Sequence, residues 1–269
     1  NYVQSLYGDA AGRLWVGTSA AGLLRHDPAT DHFVPIPVGG AQGLSHVSVR
    51  QIVDDGAGGL WVVTDGGLDH LDPATGRIEH ASTPGAWAEA AGTQVWAVLR
   101  DRRGQLWVGS QAGLFLRRSP GAPLQAVPLA PGRAAQPQAL AQDSTGQIWA
   151  GTLHEGVFVL ADEGEAPAVA LRETRTAERD DLLFNSQIAS LLEVQPGEMW
   201  VATVGQGAVA VDLARRDTRR IRHVPAWPVS LADNALRMLY RDRAGQVWVA
   251  SNRGLSRFDP RQGGVLTRL

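Results

Sequence analysis

Two residue types are missing from this chain of 269 residues: it has no cysteine, and all 25 of its basic residues are arginine. Without cysteine there is no disulfide and no thiolate metal site. Without lysine there is no phosphate-binding loop of the Gly-x-x-x-x-Gly-Lys type. No apolar run reaches the length of about 18 residues that a membrane helix needs. The formal net charge of −2 gives no bulk attraction to nucleic acid or to an anionic membrane.

Catalytic motifs are also scarce. No Gly-x-Ser-x-Gly elbow occurs, and the 7 histidines are scattered without the spacing of a helical metal site. The nearest approach to a reactive pair is His154-Glu155, for which a solvated loop pair is the simpler interpretation. We therefore expect no enzyme activity, no cofactor and no metal site.

Six of the nine tryptophans recur in one context, at intervals of 42–51 residues. A glycine stands three residues before each of them, and an aspartate stands six residues before five of them. The fifth copy has Val194 at the aspartate position. The repeated residues are Trp15, Trp61, Trp107, Trp149, Trp200 and Trp248. A period of this length is typical of the blades of a β-propeller.

Each copy has the pattern of a four-stranded antiparallel meander. An apolar run leads into Asp-x-x-Gly, where the aspartate can accept backbone N–H bonds two or three residues on and the glycine can adopt a positive φ. One meander cannot bury both of its faces, so neighbouring blades must stack, with the repeated tryptophans buried between them. The sequence predicts an all-β fold, a six-bladed β-propeller occupying residues 1–269 as one domain.

The ends of the chain fall inside this pattern. The first residues lie in the middle of a repeat, so we expect a longer parent polypeptide. The last residues form the outer strand of the sixth copy. We therefore expect each blade to keep its own four strands, with none exchanged between the first and last copies.

The string Asp-Ala-Ala-Gly-Arg-Leu-Trp-Val-Gly-Thr at residues 9–18 resembles the two-component regulator propeller repeat. Residues 101–110 and 143–152 are further clear copies, and the resemblance covers essentially the whole chain. It implies a periplasmic sensor domain of a bacterial hybrid histidine kinase, or of a related receptor with a diguanylate cyclase or other output. It also implies an external ligand, often a saccharide, and more repeats than six, so that this chain would be part of a longer sensor with a larger propeller. It implies no particular binding residues, because the family has no fixed binding motif.

Candidate ligand-binding residues come from the loops that break the repeat. In a propeller the connections between blades and the loop after each tryptophan strand open at the same face, where a ligand site is expected. The candidates are Trp87, His154, Glu155, Trp227 and Arg253. For the two tryptophans the alternative is that they plug their loops against the blades.

Three functions stay open from the sequence. The first is a ligand-sensing domain of a transmembrane receptor, the second an enzyme resembling streptogramin lyases, and the third a protein-interaction scaffold. A lyase turns over its antibiotic with a divalent metal, whereas a sensor binds without turnover. As partners we expect a small-molecule or saccharide ligand and a homodimer of the complete receptor, with no nucleic acid and no membrane contact by this domain.

Overall fold

A computed structural model describes residues 2–40, 42–81, 94–129, 135–161, 168–172, 186–215, 217–260 and 264–268. These residues form 24 strands in six four-stranded antiparallel sheets, each made of four consecutive strands. The chain is a six-bladed β-propeller, as the repeat predicted, and within the described residues every blade keeps its own strands. In that part of the chain no helix is long and apolar enough to cross a membrane.

The first compact unit, Asn1–Ala134, holds blades 1 to 3. Blade 1 consists of β1 (Val3–Gly8), β2 (Leu14–Thr18), β3 (Leu23–Asp27) and β4 (His32–Pro35). Blade 2 consists of β5 (Val49–Asp54), β6 (Leu60–Thr64), β7 (Gly67–Leu71) and β8 (Ile78–His80). Blade 3 consists of β9 (Val95–Arg100), β10 (Leu106–Ser110), β11 (Gly113–Arg117) and β12 (Gln125–Val127).

The second compact unit, Ala135–Leu269, holds blades 4 to 6. Blade 4 consists of β13 (Pro137–Gln142), β14 (Ile148–Thr152), β15 (Val157–Ala161) and β16 (Ala168–Arg172). Blade 5 consists of β17 (Ile188–Gln195), β18 (Glu198–Thr203), β19 (Gly207–Asp212) and β20 (Asp217–Ile221). Blade 6 consists of β21 (Leu236–Arg241), β22 (Val247–Ser251), β23 (Gly254–Asp259) and β24 (Gly264–Arg268).

The Asp-x-x-Gly turn fixes both the hairpin and the tryptophan. In blade 4, Asp143 Oδ1 accepts hydrogen bonds from the backbone N–H groups of Thr145 at 2.9 Å and Gln147 at 3.0 Å. The other oxygen, Oδ2, accepts the indole N–H of Trp149 at 2.9 Å. The backbone bonds therefore reach two and four residues on, rather than two or three, and the indole bond is an addition to the prediction. The same aspartate–indole bond occurs in blades 1, 3 and 6.

Blade 5, which lacks the aspartate, supplies the acceptors from elsewhere. Glu198 Oε1 accepts the indole N–H of Trp200 at 2.8 Å. The carboxylate of Glu193 accepts the backbone N–H of Gly197 in the turn at 2.9 Å. Since a buried indole N–H needs an acceptor, the valine at position 194 is tolerated because Glu198 stands close by.

Blades within a unit stack by one rule. The tryptophan side of one blade packs on the receiving side of the next blade. We define the receiving side of a blade by three apolar residues, which stand nine before, one before and one after the tryptophan of that same blade. In the first unit Trp15 packs on blade 2 and Trp61 on blade 3. In the second unit Trp149 packs on blade 5 and Trp200 on blade 6.

The predicted burial of the repeated tryptophans holds for five of the six. Trp15, Trp61, Trp107, Trp149 and Trp200 are buried. The prediction is wrong for Trp248, which is part-exposed. The guanidinium carbon of Arg257 lies over the Trp248 ring, 5.8 Å from its centroid.

Candidate functional site

Blade 2 departs from the other copies at neighbouring positions. Two residues before the tryptophan it has Gly59, where the other blades carry long polar side chains: Arg13, Gln105, Gln147, Glu198 and Gln246. Opposite Trp61 on the next strand it has His70. The corresponding strand partners in the other blades are Arg25, Leu116, Val159, Ala210 and Arg257. Residues common to all copies serve the fold, so such departures are where a function is to be sought.

His70 engages the aspartate of its own turn. The Nε2 atom of His70 lies 2.8 Å from Oδ2 of Asp55, and the imidazole ring packs against Trp61 with centroids 4.5 Å apart. Asp55 Oδ1 accepts the backbone N–H groups of Ala57 and Gly59. Burial acts to raise the pKa of Asp55, but the hydrogen bonds from Ala57, His70 and Gly59 together hold it below its ordinary value. Asp55 is therefore a carboxylate at neutral pH.

The glycine at position 59 makes this pair possible. A Cβ atom on Gly59 would lie 2.7 Å from Nε2 of His70 and would overlap Oδ2 of Asp55. Side chains of the length found in the other blades would collide with the pair. Gly59 and His70 therefore form a matched departure from the repeat.

Arg100, the last residue of β9, extends from blade 3 over the turn of blade 2. A Cβ atom on Gly56, whose φ is +78°, would collide with the Arg100 guanidinium, so this glycine gives space to the Arg100 side chain. The Nη1 atom of Arg100 is 3.5 Å from Oδ1 of Asp54. Its Nε atom is buried and has no hydrogen-bond partner among the described residues. Arg100 thus places a positive charge beside the turn of blade 2, and its buried Nε–H group is a hydrogen-bond donor that is not used.

A second arginine lies on the blade 3 side. The guanidinium carbon of Arg117 is 5.6 Å from the centroid of the Trp61 ring, and its Nε donates to the carbonyl oxygen of Ser119 at 3.0 Å. Burial lowers the pKa of Arg117 from its ordinary value. An arginine remains charged all the same, so a cation is held in partly desolvated surroundings where an anion would be attracted strongly.

These residues line one cavity, which we call the blade 2–3 groove. It encloses about 510 Å³, and its walls include Asp55, Trp61, His70, Glu79, Arg100 and Arg117. That volume lies within the range of small-molecule sites, which combine aromatic surface with a few placed polar groups. The groove offers an aromatic ring, two guanidinium groups and a histidine–carboxylate pair. No group of three or more His, Asp and Glu residues in the described part of the chain could hold a metal ion.

A second histidine–carboxylate pair, of half-buried His80 and buried Asp69, stands at the wall of the groove, which His80 lines. The Nδ1 atom of His80 lies 2.8 Å from Oδ1 of the fully buried Asp69. The other oxygen of Asp69 accepts the backbone N–H and the hydroxyl of Ser45, at 2.8 Å and 2.9 Å. The hydrogen bond with Asp69 is the main cause that raises the pKa of His80.

The candidates taken from the loops lie elsewhere. Trp87 is outside the described residues. His154 is exposed in the β14–β15 loop, and Arg253 is exposed in the β22–β23 loop. Trp227 is 64% exposed in the connection between β20 and β21. Glu155 is half-buried, and its Oε2 atom is buried without a hydrogen-bond partner in the described chain.

The last four of these candidates all belong to the second unit, at the ends of blades opposite the Asp-x-x-Gly turns. None lines the blade 2–3 groove, and their role stays a prediction. The sequence did not predict the groove residues, because the candidates came from the loops and not from differences between the six copies at equivalent positions. Aligning the six copies position by position would have singled out Gly59 and His70.

The chain matches the family model described as two component regulator propeller over residues 1–20 and 90–112. These segments include the turns and strands of the first and third repeated tryptophans. No curated protein matches the chain.

Solved structures share the fold at low identity. The extracellular domain of a hybrid two component system from B. thetaiotaomicron is 16% identical, with 99% of this chain and 39% of that chain covered and a TM-score of 0.54. PorZ, a surface component of the type-IX secretion system of Porphyromonas gingivalis, is 18% identical, with 96% and 38% covered and a TM-score of 0.73. A streptogramin B lyase is 15% identical, with 99% and 79% covered and a TM-score of 0.69. The chain thus spans about two fifths of the length of the first two proteins.

Proposed function

Because this chain is built from two component regulator propeller repeats, we propose that it is the ligand-sensing domain of a bacterial transmembrane receptor. On this proposal the domain lies in the periplasm, and a histidine kinase or diguanylate cyclase output belongs to the same receptor. The fold that it shares with the extracellular domain of a hybrid two component system supports the proposal. The observation that carries it is the blade 2–3 groove, where Gly59 and His70 break the repeat together.

The groove suggests the chemistry of the ligand. Guanidinium groups bind carboxylates through paired, charge-assisted hydrogen bonds, and Arg100 has a buried Nε donor that is unused. The ring of Trp61, of which 9% is exposed, adds a small apolar surface to the wall of the same cavity. We assign the groove to a small acidic saccharide, with Arg100 and Arg117 on its carboxylate.

Binding must favour one arrangement of the receptor over another in order to signal, because equal affinity for two states shifts no population. A stacked set of blades has little freedom to change shape internally. The proposed signal is therefore a change in the geometry of a receptor homodimer.

Titration calorimetry on the purified domain tests this function. Uronic-acid oligosaccharides should bind and their neutral counterparts should not. Arg100→Gln should weaken binding about 10- to 100-fold, the loss expected for one charged hydrogen-bonding partner. Arg102→Gln is the matched control, since Arg102 is an exposed residue of the same turn outside the groove. Equal affinity for acidic and neutral sugars, unchanged by Arg100→Gln, would contradict the assignment.

An enzyme remains the second candidate, because the fold is shared with a streptogramin B lyase over 99% of this chain. Metal-dependent turnover of a streptogramin by the purified domain, lost in His154→Ala or Glu155→Gln, would replace the sensor with this function. A protein-interaction scaffold is the third candidate, and it predicts that no small molecule binds in the groove.

A further inference from the structure

A second cavity adjoins the blade 2–3 groove on the side of blade 1. It encloses about 570 Å³ within the first compact unit, and we call it the blade 1–2 cavity. The two spaces share part of their walls, because Asp55, Ala57, His70 and Glu79 line both of them. Together they form one depression that crosses the turn of blade 2.

The turn between the two spaces carries almost no side chains. The four residues that follow Asp55, at positions 56–59, are three glycines and one alanine. In each of the other copies, at least one of these four positions has a longer side chain. A Cβ atom on Gly58 would meet no other atom within 4 Å, so the surface above this residue is open. A ligand that fills the groove can therefore continue over the turn.

The walls that belong to the blade 1–2 cavity alone carry both hydrogen-bond donors and acceptors. Arg13 of blade 1 reaches across to blade 2, where its Nη1 atom donates to the carbonyl oxygen of Pro73 at 3.3 Å. Arg77, whose side chain is largely exposed, lines the same space together with Asp72. The pKa of Asp72 is held below its ordinary value, chiefly by the hydrogen bond from the hydroxyl of Thr75. Asp72 is therefore a carboxylate at neutral pH.

Both arginines of the blade 1–2 cavity are paired with carboxylates. The Nε atom of Arg13 lies 2.6 Å from Oδ2 of Asp9, and the Nη2 atom of Arg77 lies 3.0 Å from Oε1 of Glu79. Asp72 adds a further negative charge. An anionic group would be repelled here, whereas a hydroxyl group can donate to a carboxylate and accept from a guanidinium group. The cavity therefore suits a neutral unit that carries several hydroxyl groups.

We propose that the blade 1–2 cavity is a second subsite, which binds a neutral, hydroxyl-rich unit of the same ligand whose acidic unit lies in the groove. This inference rests on the proposed function, because it takes the acidic saccharide in the groove as its starting point. The ligand is then an oligosaccharide of at least two units with different charge, and its linkage passes over Gly58. Joining the two units makes the second contact intramolecular, so the affinity exceeds that of the acidic unit alone.

Titration calorimetry on the purified domain tests the second subsite. The probes are glucuronate and the two disaccharides of glucuronate and glucose that differ in the order of linkage. At least one mixed disaccharide should bind about tenfold or more tightly than glucuronate, because its neutral unit adds hydrogen bonds to charged groups. A disaccharide of two glucuronates should gain less, since its second carboxylate would meet Asp72 and Glu79.

Two variants locate this gain in affinity. Arg13→Gln introduces the residue that three other copies have at this position, so the fold should be kept. The mixed disaccharide should then bind at most about twofold more tightly than glucuronate. Arg77→Gln should have the same effect, and it covers the case in which the first variant does not fold. Arg243→Gln is the matched control and should preserve the full gain, because Arg243 is an exposed residue of the equivalent turn in blade 6.

Failure of the second subsite is distinguishable from failure of the proposed function. Glucuronate binding that is lost in Arg100→Gln, but is not improved by glucose in either linkage, would overturn the second subsite alone. A gain that survives in both Arg13→Gln and Arg77→Gln would also overturn it. Absence of binding by all of these sugars would overturn the second subsite and the proposed function together.

Discussion

A single carboxylate in the repeated turn serves donors that would otherwise be costly to bury. In blade 4 the fully buried Asp143 accepts two backbone N–H groups and the indole N–H of Trp149. Leaving a buried donor without a partner costs about 1–3 kcal/mol. The aspartate therefore acts on the turn and on the packing between blades at once.

Replacing this aspartate should lower the free energy of unfolding more in a blade where the aspartate is buried than in one where it is part-exposed. Asp143→Ala should lower the free energy of unfolding by about 2–4 kcal/mol, because the buried indole N–H of Trp149 loses its acceptor together with two N–H groups of the turn. Asp242→Ala removes the equivalent bonds to Gln246 and Trp248. That site is part-exposed, so water can replace the acceptor and the loss should be smaller. Urea unfolding of the two variants measures the difference, and equal losses would argue against burial as the cause.

The pair formed by His80 and Asp69 should make stability depend on pH. The pKa of His80 is raised in the folded chain, chiefly by its hydrogen bond to Asp69. Its stabilising contribution is therefore complete below the unfolded pKa of about 6.5 and is lost as the pH rises through the higher folded value. The urea midpoint of the native chain should exceed that of His80→Asn by more at pH 5.5 than at pH 8.5. A gap that does not change with pH would exclude a charged His80 in the folded state.

At the scale of the β5–β6 hairpin, Gly59 replaces the long polar residue of the repeat and makes room for the Asp55–His70 pair of the proposed binding site. Glutamine at the same position is compatible with the fold, since Gln105, Gln147 and Gln246 occupy it in blades 3, 4 and 6. In blade 2 a side chain there would displace Asp55 and His70. Gly59→Gln should therefore weaken binding of an acidic saccharide about tenfold or more with a small effect on thermal stability.

Calorimetric titration and a thermal melt check this prediction together. The matched control is the reverse change in blade 4, Gln147→Gly, which should leave binding unaltered. Full affinity in a folded Gly59→Gln variant would show that the Asp55–His70 pair takes no part in the site.

The repeat was enough to predict the hairpins, the strand order and the packing of most tryptophans. Each of the six copies has the same turn residues and the same apolar positions, so each copy indicates the same local structure. It did not predict that Glu198 would serve Trp200, since the acceptor comes from a different position in the turn. The repeat also did not predict that Trp248 is part-exposed, because the pattern within one copy does not show which residues pack against the tryptophan ring. The groove depends on Arg100 reaching over Gly56, a contact between blades that no single copy contains.

For the molecule as a whole, the two sets of candidate residues predict different footprints for a ligand. The groove residues lie around the Asp-x-x-Gly turns of blades 2 and 3, whereas Trp227 and Arg253 lie in loops of the second unit at the opposite ends of their blades. Most of the residues shared by all copies are buried, so binding should leave the strands unchanged and alter only the surface at one of these places.

Hydrogen exchange with and without an acidic saccharide distinguishes the two footprints. We expect slower exchange in the turn at residues 55–59 and at the end of β11 around Arg117, because the ligand would cover both. Exchange in the β14–β15 and β22–β23 loops should not change. Arg100→Gln should abolish the protection, while Arg253→Gln should preserve it. Protection of the loops instead, lost in Trp227→Ala or Arg253→Gln but retained in Arg100→Gln, would move the ligand site to the second unit and leave the groove without this role.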